Sequence, residues 1–148
     1  MQLNHYLNFA GETEAAFIFY QSVFGGHFAQ LTRYGDIPAE DAQSLSDLQR
    51  QQILHVSLPI NAYTVLMGSD INEQFCAADS RGLSKGNNHY ISINLDHDET
   101  EARRLFNLLS AGGHIETQLQ KTFWGALYGA FTDQFGIKWM VNCQLESV

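Results

Sequence analysis

Apolar side chains recur along this chain on two periods, and the switches between them mark its elements. Residues 3–9 and 90–95 are short runs rich in aliphatic and aromatic side chains, the composition of strands. Behind the first run, Ala16, Phe17, Tyr20, Val23 and Phe24 fall at i, i+1, i+4, i+7 and i+8. Behind the second, Ala102, Leu105, Phe106 and Leu109 fall at i, i+3, i+4 and i+7. Both stripes keep the 3.6-residue period of a helix with one buried face. Each stripe ends on two glycines, Gly25-Gly26 and Gly112-Gly113, suited to the left-handed position that closes a helix. Acidic residues gather at both helix starts, where the helix dipole favours them, and Asp98 with Glu101 resembles a capping box.

Further strands follow each helix. The pattern predicts residues 28–34, 53–60 and 63–68 after the first, the last two joined by a tight hairpin at Asn61-Ala62. After the second it predicts residues 115–121, 125–132 and 137–143, with Asp133-Gln134-Phe135-Gly136 as a turn. The order β-α-β-β-β therefore occurs twice, and matching tripeptides mark the two copies. Asn4-His5-Tyr6 returns as Asn88-His89-Tyr90, an offset of 84. Thr13-Glu14-Ala15 returns as Thr100-Glu101-Ala102, and Gly25-Gly26-His27 as Gly112-Gly113-His114, both at 87, so the second copy carries three extra residues. One α+β domain over residues 1–148 is expected, with module 1 at about 1–70, a linker at about 71–87 and module 2 at about 88–148. Segment 35–52 fits no strand, although Leu45 and Leu48 hint at a helical turn, and neither does 71–87. Loops of this length serve as functional covers or as linkers, and both readings stay open here.

Composition narrows the partners. Eight Lys and Arg against sixteen Asp and Glu leave a net charge of −8, which repels phosphate backbones and anionic lipid. Nucleic acid and membrane surfaces are thus not expected partners, and the one adjacent basic pair is Arg103-Arg104 on a helix. Cys76 and Cys143 form neither a disulfide framework nor a zinc cluster and are expected as reduced thiols. No apolar run approaches the length of a membrane span, and residues 1–5 lack the features of a secretory signal, so the cytoplasm is the expected compartment.

Candidate chemistry is sparse. Phe123, Trp124, Tyr128, Phe131, Phe135 and Trp139 crowd one stretch, and core packing accounts for most stripes of this kind. Phe123-Trp124, however, precedes a strand, and Gly125 and Gly129 let a backbone or ligand approach closely. Trp124 is therefore the leading candidate for lining a binding cleft. His5 and His89 occupy matching places in the repeat, either as a metal or acid–base pair or as an inherited strand start. His27 and His114 follow helix ends, where a cationic side chain is mildly favoured, while His55 and His97 have no partner legible in the sequence. Among the acids, Asp70 and Asp133 read as turn formers, and Glu116 has no evident partner. Machinery for covalent catalysis is not visible: no Ser-His-Asp order and no phosphate-cradling loop stand out.

Several runs resemble the vicinal-oxygen-chelate superfamily of glyoxalase I, extradiol dioxygenases, fosfomycin-resistance enzymes and bleomycin-resistance proteins. They are Tyr6-Leu7-Asn8-Phe9, Phe19-Tyr20, Phe24-Gly25-Gly26, Met67-Gly68-Ser69-Asp70, Thr122-Phe123-Trp124-Gly125 and the stretch 132–142. Within the superfamily they are most similar to its PhnB-like branch. The resemblance implies two paired modules forming a cupped, mixed but mostly antiparallel sheet around a cleft, with helices outside, in a homodimer. Metal-dependent members place ligands on the first and last strands of each module. Here those places read His5, Met67, His89 (or Tyr90, since the register is open by one residue) and Met140. Thioethers suit the hard or borderline divalent ions poorly, so no cofactor is expected, although a divalent metal stays possible. The implied function is metal-independent binding of a small, partly aromatic or apolar molecule in the cleft, lined by Trp124, Phe123, Tyr128, Met67, Met140, His5 and His89. The alternatives are a divalent-metal lyase, transferase or dioxygenase using His5 and His89, and a regulatory subunit with a vestigial cleft. The methylation label attached to some PhnB-like proteins finds no support in these residues, because Gly25-Gly26 follows a helix rather than a strand.

Overall fold

The computed structural model describes residues 1–75 and 82–147, so Cys76 and the middle of the expected linker lie outside the described residues. The chain forms two compact units, Met1–Ser84 and Lys85–Val148. The first contains β1 (His5–Phe9), α1 (Thr13–Phe24), β2 (Gln30–Arg33), α2 (Asp47–Gln51), β3 (Ile53–Pro59) and β4 (Val65–Asp70). The second contains β5 (Ile91–Asp96), α3 (Glu99–Ser110), β6 (His114–Lys121), β7 (Ala126–Thr132) and β8 (Lys138–Gln144). Each unit holds one four-stranded sheet, ordered β1-β4-β3-β2 and β5-β8-β7-β6. In each, the first and last strands pair in parallel and the other pairs are antiparallel, giving the two mixed β-α-β-β-β modules that the pattern predicts.

One face of each sheet packs on its long helix. In module 1, Leu7, Gly68 and Val56 stand in register across three strands, and a Cβ at Gly68 would fall 2.7 Å from the Phe17 ring of α1. In module 2, Ile93, Val141 and Gly129 are the equivalent row, and a Cβ at Gly129 would fall 2.6 Å from Phe106 of α3. The absent side chains let helix and sheet close together. Phe9, Phe17, Tyr20, Leu58, Phe131 and Val141 are buried on these helix faces or the helices themselves. The opposite, distal face of each sheet carries the polar half of the strand alternation.

Local chemistry sets the element ends. Asp98 accepts a hydrogen bond from the Glu101 amide at 3.0 Å and caps α3. After α1, both Gly25 and Gly26 take positive φ, whereas after α3 only Gly112 does. Gly113 is required for another reason: a Cβ there would stand 2.1 Å from the Thr132 carbonyl oxygen. The β3–β4 connection is longer than the two-residue hairpin expected at Asn61-Ala62. The Asn61 side chain accepts from the amides of Tyr63 and Thr64, so residues 60–64 close as an Asx-stabilised turn. Segment 35–52 is tied to the module: Tyr34, Ala42 and Leu45 form a buried cluster with Ile37 and Leu54 against it. The helical turn hinted at by Leu45 and Leu48 is α2, opened by a reciprocal Ser46–Gln49 capping box.

Candidate functional site

Strand alternation decides which side chains the distal faces present. On β1, Leu7 and Phe9 are buried on the α1 side, and His5 shares their parity. The distal face at that level belongs instead to Tyr6, which pairs with Met67 on β4, itself paired with Ser57 on β3. The Tyr6 hydroxyl lies 3.0 Å from His55 Nδ1, with the rings stacked at 5.6 Å between centroids. Sequence reasoning left His55 without a partner and passed over Tyr6. The signal was present in the buried Leu7-x-Phe9 alternation, which turns Tyr6 outward.

In module 2 the two candidate residues lie just ahead of β5. Tyr90 precedes β5 with the parity of Ser92 and Asn94, whereas His89 is exposed, two residues before the strand, with the parity of buried Ile91. Tyr90 donates to Glu116 on β6 at 2.6 Å, Thr132 on β7 donates to the same carboxylate at 2.9 Å, and Lys138 on β8 pairs with it. The Lys138 ammonium also lies 4.8 Å from the centre of the Tyr90 ring. A register shift in β6 falls between Ile115 and Thr117, and a bulge of this kind re-aims a side chain, here Glu116. The Lys138 and Tyr90 hydrogen bonds hold the Glu116 carboxyl down at about 2. Glu116 in turn raises the titration of Lys138 and of the Tyr90 phenol. At neutral pH the cluster is therefore a carboxylate, an ammonium and a phenol.

Beyond this cluster, Met140 lies between Ser92 and Ala130, and Tyr128 lies opposite Asn142, all on the distal face. Trp124 in the β6–β7 turn reaches the Tyr128 ring at 6.5 Å and meets the Phe123 ring edge-on at 4.9 Å. Gly125 adopts a φ of 84°, and the Thr122 amide donates to the Ala126 carbonyl at 2.8 Å, so the turn holds both aromatic rings outward. Phe123 is 98% exposed and Trp124 54%. Beside them, Trp124, Lys121, His97, Gln144 and Leu145 line a recess of about 620 Å³. The structure thus brings Trp124, Phe123 and Tyr128 together, with Met140 on the same sheet face. Met67 lies with Tyr6 in module 1.

Two acids serve structure. Buried Asp70 accepts from the Gly11 and Thr13 amides, the Thr13 hydroxyl and the Ile53 amide, stitching the start of α1 to β3 and β4. Buried Asp133 accepts from the Phe135 and Ile137 amides and from the Trp139 indole, combining its turn role with an anchor for the core. Among the described residues no three His, Cys, Asp or Glu side chains converge on a common point. On the parallel strand pairs the distal face offers Tyr6 with Met67, and Ser92 with Met140.

Comparison with known proteins agrees with this architecture. Residues 2–141 match the family model described as the glyoxalase/bleomycin resistance protein/dioxygenase superfamily. Protein YjdN of Escherichia coli K12 is 30% identical over 143 residues, 96% of this chain and 95% of that protein. The crystal structure of protein PA1353 from Pseudomonas aeruginosa superposes with a TM-score of 0.75 at 33% identity, covering 99% of each chain. A Bacillus cereus PhnB protein, titled a putative 3-demethylubiquinone-9 3-methyltransferase, shares the fold at a TM-score of 0.71 and 19% identity, over 97% of this chain and 99% of its own. With two β-α-β-β-β modules and a family match running over nearly its whole length, the chain belongs to the glyoxalase/bleomycin resistance protein/dioxygenase superfamily.

Proposed function

We propose that this protein binds a small, partly aromatic molecule without a metal ion, and that module 2 receives the aromatic part. The observation that carries this reading is Trp124 lining the 620 Å³ recess, with Phe123 outward beside it and Tyr128 and Met140 on the sheet face. Exposed aromatic side chains beside a concavity are the usual contacts for planar ligands, because they supply contact area at little entropic cost. The donor set supports the metal-independent form, since thioethers, Met67 and Met140, stand at two of the four places where chelating members carry ligands. Membership of the PhnB-like branch and a homodimeric state belong to the same reading. The first rests on the run Thr122-Phe123-Trp124-Gly125 with the stretch 132–142, the second on the resemblance.

The test uses the chain's two tryptophans, of which Trp139 is buried and Trp124 exposed. Titration with indole, quinoline and naphthoate should quench the exposed indole, and calorimetry on Trp124→Leu should read an affinity loss of roughly tenfold or more. Absence of any binder tighter than millimolar, or unchanged affinity in the variant, would remove this reading.

A further inference from the structure

The recess beside the β6–β7 turn holds a charge as well as an aromatic ring, and hydrogen bonds within module 2 tie its walls together. The Gly125 carbonyl accepts from the Leu145 amide at 3.0 Å and from the Gln144 side chain at 3.3 Å, joining the turn to the end of β8. The His97 amide donates to the Gln144 carbonyl at 2.8 Å, joining β8 in turn to the entry of α3. A concavity held in this way is formed before a ligand arrives.

Lys121, the last residue of β6, lines this recess with Trp124. It pairs across the ladder with Leu127, which is buried on the α3 side, so Lys121 stands apart from the Glu116 cluster of the distal face. Arg33, Arg103, Arg104 and Lys138 each pair with a carboxylate, whereas the Lys121 ammonium has neither an ion pair nor a hydrogen bond among the described residues. That is so although acids outnumber bases sixteen to eight. Two carboxylates also line the recess, Glu99 and Glu146. Glu99 is already taken by Arg103, which donates to it from Nε at 3.1 Å and from a terminal nitrogen at 2.6 Å. The Arg103 hydrogen bonds, with the charge of Lys121 adding to them from further off, keep Glu99 below the usual carboxylate range. Glu146 is exposed on the stretch after β8.

We propose that Lys121 is the charged anchor of the Trp124 recess and that the ligand is an aromatic acid, with its carboxylate on the ammonium and its ring against the indole. This rests on the aromatic reading above and narrows it to one class of ligand. A neutral ring gains only contact area from Trp124, whereas a carboxylate adds a charge-assisted hydrogen bond in a partly enclosed site. The competing ligand is a cationic ring, because an indole beside carboxylates also suits an ammonium. The pairing of Glu99 with Arg103 and the bare charge of Lys121 favour the acid.

Three probes that differ only in the group on one naphthalene carbon separate these cases: naphthoate, naphthalenemethanol and naphthylmethylammonium. Each is titrated by calorimetry against the full chain, Lys121→Gln and Trp124→Leu. Naphthoate should bind the full chain about fivefold or more tighter than the alcohol, with the ammonium weakest. Lys121→Gln, a change at an exposed strand end, should fold as the parent does and bring naphthoate down to the level of the alcohol. Acid and alcohol that bind alike, an ammonium that binds best, or an acid preference that survives Lys121→Gln overturns the anchor. If the alcohol binds through Trp124 but the acid gains nothing over it, the aromatic reading stands and the anchor falls. Naphthoate binding that is lost in Lys121→Gln and untouched by Trp124→Leu supports the anchor and counts against the aromatic reading. Failure of all three probes to bind removes both.

Discussion

Asp70 concentrates more of module 1 in one side chain than any other acid in the described structure. Its two oxygens receive four donors from the start of α1 and from β3, all in a site 1% exposed. Asp70→Ala strands those amides without water, which should cost about 2–4 kcal/mol of stability, measured by urea unfolding. Asp133→Ala should be destabilising for the same reason, through loss of the Trp139 indole partner. That Asp133 shapes a turn was legible in the sequence, whereas Asp70, also read as a turn former, instead ties the start of α1 to β3. Their long-range partners were not legible, because Asp70 and Thr13 lie 57 residues apart and no local pattern links them. Tyr6 with His55 and Glu116 with Lys138 show the same limit: each residue type stood out, while its partner became visible only once the strands were in register.

At the scale of elements, the hydrophobic and polar pattern located the eight strands and both long helices of the described residues. What it left open were the connections, where side chains rather than periodicity decide. Residues 60–64 close through Asn61, and segment 35–52 is held by Tyr34, Ala42 and Leu45, features of only three or four residues. The paired glycines after the two helices illustrate how similar sequence meets different demands. Gly25→Ala places a Cβ in open space, but a φ of 77° with a ψ of −163° is a region essentially reserved for glycine, so it should cost about 2 kcal/mol. Gly113→Ala drives a Cβ into the Thr132 carbonyl and should cost about 3 kcal/mol. Melting temperatures of the two variants check the order, and equal losses would mean that the α3–β6 corner yields more easily than its geometry implies.

For the whole molecule, the repeated module gives two sheets whose distal faces each centre on a tyrosine and a methionine, but whose remaining chemistry has diverged. Module 2 carries its own carboxylate and ammonium and an exposed aromatic turn, while module 1 carries an imidazole among neutral side chains. On the parallel strand pairs the distal faces offer Tyr6 with Met67 and Ser92 with Met140, and that donor set is the basis for proposing a binder. The surface charge of −8 disfavours polyanions but leaves a small aromatic acid, carrying one negative charge, an accessible ligand. The central claim is independence from metal, and naphthoate titration in chelator, repeated with Ni²⁺, Co²⁺, Mn²⁺ and Zn²⁺ in turn, tests it most directly. The account predicts one affinity throughout, lowered by Trp124→Leu and unaffected by His5→Ala. Binding abolished by chelator, restored by one equivalent of metal and lost again in His5→Ala would contradict it and leave a metal-dependent enzyme in its place.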